Sequence, residues 1–212
     1  MPESKTKTRA GRPLKPLITR DAAVRAAIKV IDRDGLEALS VQAVARAMKV
    51  SAPSLYYHFK DKDELLELVA LELLREVGAN ADKDACWEDR MVGLSLATRR
   101  VILRHANAAP LMLRFFPRRL MLSAYEHALA DCPFPAQHHI VISEAIEKLT
   151  YGSSLFAAAA ATYHTPAIPA FDVERFPLFA RAISSGPGDE EAIFVESLRS
   201  LIDGFRARYG PK

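Results

Sequence analysis

The chain is a succession of apolar stripes with a helical period, separated by short polar breaks. Val24, Ala27, Ile28 and Ile31 recur at i, i+3, i+4 and i+7, the spacing of one helix face. Thr19 stands where it can cap that run, and Gly35 where it can stop it. Val41, Val44, Ala45 and Met48 repeat the pattern behind Ser40, a second cap. A turn through Lys49 and Val50 leads to Ser51, which is expected to cap a third segment. Pro53 falls in its first turn, where a missing N–H costs little. Leu55 and Phe59, four apart, point inward. Asp61 and Glu64 have N-cap and N3 spacing, so a fourth helix is expected over about residues 62–77. Its apolar residues (Leu65, Leu66, Leu68, Val69, Leu71, Leu73, Leu74, Val77) lie nearly all round. One core needs a stripe only about 100° wide, so this helix is expected to touch two bodies.

The later chain is helical by the same reading. "WEDRMVGLSLATRRVILRHA" is amphipathic and ends near Pro110. "MLRFFPRRLMLSAYEHALA" is broken by Pro117 and stops at "DCPFP". A long helix follows, with Ile142, Ala145, Ile146, Leu149 and Phe156 along one stripe. "HTPAIPAFD" reads as a loop, "PLFARAI" as a short helix and "SSGPGD" as a turn. Residues 190–208 close the chain with Phe194, Leu198, Leu201, Ile202 and Phe205 in register. No segment has strand periodicity, and the fold class is all-α. Residues 1–17 are rich in Lys, Arg, Pro, Ser and Thr and read as a flexible basic arm. Residues 18–64 form a head, and residues 65–212 form a body.

Charge separates these parts. The net charge is +3. Residues 1–62 carry thirteen Lys and Arg against six Asp and Glu, whereas the remainder carries sixteen against twenty. One end is built to meet a polyanion. No apolar run is long enough to span a membrane, and the basic N-terminus lacks the apolar core of a signal peptide. Cys86 and Cys132 form no CxxC motif. A disulfide or zinc site is not expected, both read as packed thiols, and a cytoplasmic location is the expectation. His105 and the His138–His139 pair come without a metal-ligand spacing. No nucleophile–base pair or phosphate-cradling glycine loop is present, so no catalytic residue, metal or cofactor is expected.

Two capped helices joined by a tight turn, inside a three-helix unit, make a helix-turn-helix. The second helix of such a unit enters the major groove with its N-terminal residues against base edges. Here those residues are Ser51, Ala52, Pro53 and Ser54, small enough for close approach. Tyr56, Tyr57 and His58 are left on or near the outer face, where a tyrosine hydroxyl can donate to phosphate, and Lys62 adds a charge. Tyr57 reads equally as half-buried in an aromatic cluster, and His58 equally as a structural histidine. Arg12 and Pro13 after Gly11 read either as an electrostatic tail or as a minor-groove arm.

"LSVQAVARAMKVSAPSLYYHFKDKDELL" resembles the DNA-binding head of the tetracycline-repressor (TetR) family, and its "LYYHFKDKDELL" portion is very specific. "FPLFARAISSGPGDEEAIFVESLRSLIDGFRARY" resembles the end of that family's ligand-binding, dimerising bodies. The resemblance implies a homodimer on a palindromic double-stranded DNA operator, most simply a repressor released by a small-molecule effector. A transcriptional activator or an architectural DNA binder without a ligand is the alternative. It implies DNA contacts at Ser40 and Gln42 on the second helix, at Ala52, Pro53 and Ser54 on the third, and at Tyr56, Tyr57, His58 and Lys62. The family's founding member has arginine in place of Gln42 and glutamine in place of Ala52. Arg reads guanine and Gln adenine, whereas Ala touches only a thymine methyl, so a different operator is implied. The last two long helices, about 138–163 and 190–208, are implied to pair with their copies. Within the body, Phe115, Phe116, Arg119, Tyr151, Phe156, Tyr163 and His164 are candidate ligand contacts, or else helix-core residues.

Overall fold

The computed structural model describes residues 18–78, 85–115, 117–166 and 168–210. The basic arm therefore lies outside the described residues. Helix α1 (Arg20–Asp34) starts at Thr19, whose hydroxyl accepts from the Ala22 N–H at 3.1 Å. It ends at Gly35, whose φ of 87° is open to glycine and strained for other residues. Helix α2 (Val41–Met48) follows, then α3 (Ala52–Leu55) and α4 (Lys62–Gly78). The body comprises α5 (Trp87–Arg104), α6 (Leu111–Arg114), α7 (Pro117–Leu120), α8 (Leu122–Ala130), α9 (His139–Tyr163), α10 (Pro177–Ser185) and α11 (Glu190–Tyr209). Among the described residues there is no strand, and no helix is long and apolar enough to cross a membrane.

The expected contact of α4 with two bodies holds, but through one broad face rather than all round: Leu68, Leu71 and Val77 are half-buried, and Glu67, Arg75 and Glu76 are exposed. Leu65, Leu66, Val69, Ala70, Leu73 and Leu74 are all buried. They join one core that runs from Val24, Ile31 and Leu55 to Val101, Ile102, Leu111 and Met112. Packing is therefore continuous across residue 64, and α4 belongs to head and body alike. A polar clamp seals the same junction. The His105 Nδ1 lies 3.0 Å from both carboxylate oxygens of Asp32, at the end of α1. Asn107 Nδ2 donates to the Asp32 carbonyl at 3.0 Å.

A second core collects Trp87, Met91, Phe134, Ile142, Ile146, Phe194, Leu198, Ile202 and Phe205 from the far end of the body. Trp87 meets Phe134 edge-on at 5.6 Å and donates its indole N–H to the Ala128 carbonyl at 2.8 Å. Helix α11 runs antiparallel to α5, as their ion pairs show: Arg206 with Glu88, Arg199 with Asp89, and Arg99 with Glu190.

Three expectations need correction. Phe156 is not on the buried stripe of α9: it is 82 % exposed, whereas Ile142 and Ile146 are buried. It stands fourteen residues after Ile142, close to four helical turns, but none of the described elements covers it there. Helix α10 extends through Ser184 and Ser185, which the sequence reading placed in a turn. Cys86 is exposed rather than packed, its thiol donating to Asp89 Oδ2 at 3.3 Å; Cys132 is half-buried, and its thiol pKa is pushed up by that burial.

Candidate nucleic-acid interface and internal cavity

The outer surface of the head is set by how α2 and α3 are capped. Ser40 adopts an extended backbone, and its hydroxyl accepts from the Ala43 N–H at 3.1 Å. That fixes Val41, Val44 and Ala45 inward and leaves Gln42 exposed. Helix α2 ends on Lys49, which is left-handed with φ 57°. The Val50 N–H then reaches back to the Ala45 carbonyl at 3.0 Å, and the Lys49 N–H to Arg46 at 3.1 Å. These bonds satisfy carbonyls that the helix end would otherwise leave open. They also turn the chain sharply into α3.

Ser51 precedes α3, but its hydroxyl makes no capping bond. The reason is local. A cap accepts from the second or third helical residue. The second is Pro53, which has no N–H, and the Ser54 N–H is taken by the Ser51 carbonyl at 3.1 Å. The Ser54 hydroxyl donates to the same carbonyl at 2.5 Å. Ser51 is thus an exposed residue whose hydroxyl has no cap to make.

Helix α3 is four residues long, shorter than the spacing suggested. Beyond Leu55 the chain tightens: the His58 N–H bonds the Leu55 carbonyl at 2.8 Å. Leu55 and Phe59 are nevertheless both buried, at 0 % and 2 % exposure. The turn between them pushes the tyrosines out. Tyr56 is 48 % exposed and Tyr57 is 89 % exposed, which removes the reading of Tyr57 as half-buried. His58 is half-buried. The side chains of Gln42, Tyr56, Tyr57, His58 and Lys62 make no hydrogen bond or ion pair with another described residue.

Glu64 anchors the far side of this turn. Its N–H donates to Asp61 Oδ1 at 2.8 Å, the expected cap. Its own carboxylate reaches back to the Lys60 N–H at 2.8 Å, one residue earlier than a standard capping box, and pairs with Arg20 at the start of α1. Sequence reasoning passed over Arg46 and Lys49, both exposed beside this surface. Their basic charge within two turns of Gln42 is the signal that could have found them.

The seven candidate ligand contacts do not converge. Tyr151 lines an open pocket of about 200 Å³ between helices of the body. Phe156 and Tyr163 line an outward groove of about 740 Å³ over α9 and α11. His164 borders a hollow at the head–body junction with Asp32, Arg104 and Asn107. Phe115 packs, half-buried, against the core shared by head and body. Arg119 is exposed, and Phe116 lies outside the described residues.

This body pocket has walls from four helices. Leu74 and Val77 come from α4, Met91, Leu94, Ser95 and Thr98 from α5, Ala124, Tyr125 and Ala128 from α8, and Ile146, Glu147, Thr150 and Tyr151 from α9. Burial, and secondarily the Glu147 charge, push the Tyr151 pKa well above the usual tyrosine range, so its hydroxyl stays neutral. Most of these liners were missed. Their signal was polar residues on core-facing stripes: Ser95 and Thr98 on α5, Glu147 and Thr150 on α9 are all buried.

Against known proteins, a family model for bacterial regulatory proteins of the tetR family matches residues 23–69. A second, for the tetracyclin repressor-like C-terminal domain, matches residues 80–209. An HTH-type transcriptional regulator of Saccharopolyspora erythraea is 28% identical over 235 residues, covering 98% of both chains. The class D tetracycline repressor protein of Escherichia coli is 26% identical over 200 residues, covering 90% of both. A solved TetR regulator from Streptomyces coelicolor has the same fold, with a TM-score of 0.74 at 20% identity over 92% of this chain and 100% of that one.

Proposed function

The chain belongs to the TetR family of bacterial regulators, and from that membership we propose how a ligand-responsive, DNA-binding repressor works with these residues. Ser51, Ala52, Pro53 and Ser54 present the start of α3 to base edges. Ser40, Tyr56, Tyr57, His58 and Lys62 meet the sugar-phosphate backbone or groove wall. Gln42, Ala52 and Ser54 set sequence choice, while Tyr56 and Lys62 set affinity. Support comes from exposure without internal partners: rings and hydroxyls that cost burial elsewhere are left open on the basic end of the molecule.

The dimer forms through α9 and α11. Their outward groove is lined by Leu149, Ser153, Ala157, Ala160, Ile193 and Ser197, with Phe156 and Tyr163 standing over it. Small residues there let a second copy approach closely, and an obligate interface of this kind buries about 2,000 Å² or more. The two heads then meet half-sites roughly 34–36 Å apart, one turn of the duplex. Such a regulator acts where the chromosome is, in the bacterial cytoplasm.

A single observation carries the ligand response: α4 is shared. Its first turns are packed into the head, and Leu74 and Val77, at its end, wall the body pocket. An effector in the pocket bears directly on the helix that holds the head. It favours a head spacing that no longer fits the operator, and linkage makes DNA and effector weaken each other equally.

Selection of bound duplexes from a random pool tests the reading. The wild-type protein is expected to return a palindrome, and Lys62→Ala the same palindrome with a salt slope smaller by about 1. A non-palindromic consensus would break the dimeric reading, and a changed consensus for Lys62→Ala would break the division of roles.

A further inference from the structure

Among the described residues, two that are not glycine have a left-handed backbone: Lys49 (φ 57°, ψ 40°) at the end of α2 and His164 (φ 53°, ψ 35°) at the end of α9. Glycine is the usual residue at such helix ends, because a Cβ crowds the backbone there. Histidine is enriched in this conformation, whereas lysine has no polar atom near its backbone to favour it. The end of α1, where φ is also positive, does carry a glycine, Gly35.

The turn itself demands the conformation. The Lys49 N–H donates to the Arg46 carbonyl at 3.1 Å, and the Val50 N–H donates to the Ala45 carbonyl at 3.0 Å. Together they aim the chain into α3, which starts at Ala52. Glycine would make the same turn without the strain. Nor does the dipole of α2 call for a lysine, since Arg46 already stands in its last turn.

What lysine adds is an ammonium group. Lys49 is exposed, and its side chain makes no hydrogen bond or ion pair with another described residue. Nothing in the described chain offsets the strain. Arg46 before it is exposed and equally unpaired, and Gln42 and Ser51 on either side are exposed too. Strained residues that gain nothing within the fold collect where a partner binds, and the partner proposed for the head is a polyanion.

We propose that Lys49 binds a phosphate of the operator duplex, and that its strained turn lowers the stability of the free protein. The inference rests on the DNA-binding reading above.

Full-length Lys49→Gly, Lys49→Asn and Lys49→Arg test it against wild type. Each is melted at one protein concentration and titrated, over a salt series, with the duplex that wild type selects from a random pool. Lys49→Gly should melt about 2 °C higher yet bind the duplex about fivefold more weakly, the upper scale of one exposed ion pair. Its salt slope should fall by about 1, and its selected sequence should stay the same. Lys49→Asn tolerates the left-handed turn without the charge. It should lose the same affinity and slope, which separates charge from the looseness of glycine. Lys49→Arg should keep both. The inference is overturned if Lys49→Gly melts no higher than wild type, if it keeps full affinity and slope, or if Lys49→Asn binds as wild type does. A wild-type protein that binds no duplex would break the DNA-binding reading itself, and this inference with it. A duplex bound by wild type, and bound by Lys49→Gly with unchanged slope, would break this inference alone.

Discussion

Tyr56 and Tyr57 in the head and Phe156 and Tyr163 in the body are all exposed, at 48 %, 89 %, 82 % and 77 %. The neighbours differ. On the head, Gln42, Arg46, Lys49, Lys60 and Lys62 are also exposed, and all are hydrophilic. Around the body rings stand Ser153, Ala157, Ala160, Ile168 and Ile193, small or apolar. The same signal, an aromatic ring in the open, therefore points to two partners. Rings with hydroxyls among cations suit a phosphate backbone. Rings among small apolar residues suit a protein surface, and the proposed partner there is a second copy.

The largest expected effect separates anchor from reader within the head. Phe59→Ala should cost about 3–5 kcal/mol of stability, as core aromatic truncations do. Tyr57→Ala, two residues away, should stay within about 0.5 kcal/mol while weakening the operator complex. Denaturant melts and binding titrations of the two variants read this, and a destabilised Tyr57→Ala would erase the distinction.

Next comes the body ring. Phe156→Glu should leave helicity unchanged by circular dichroism and raise the dimer dissociation constant about 30-fold or more, the scale of an interface hot spot. Sedimentation velocity over a dilution series measures it. An unaltered dimer would mean that Phe156 faces something other than a second copy.

The smallest effect concerns two serines that look alike in sequence. Ser40→Ala removes a made cap and should cost about 1 kcal/mol. Ser51→Ala removes a hydroxyl that caps nothing, so its stability should barely move while its DNA affinity falls. Equal losses of stability would show that Ser51 caps after all.

Much of the head was legible because its signals are local. Thr19, Ser40 and Asp61 each bond the backbone three residues on, within reach of any chain that starts a helix there. Leu55 and Phe59 are four apart, and that spacing survived even though α3 stops between them. The body ligand set was less legible. Aromatic residues drew attention, yet the pocket is walled by threonines, methionines and a glutamate from four helices. Periodicity within one helix cannot say which of its faces meets which face of another.

Sequence alone determined the all-α class, the helix-turn-helix and the charged end, because caps, stripes and net charge depend on neighbours a few residues apart. The double role of α4 was also written in its broad apolar surface. Only the tertiary structure decided that Tyr57 stands out, that Phe156 leaves the core and that Thr150 is buried without a partner. Each of those depends on what covers a side chain, and the covering atoms come from elements far away in the chain.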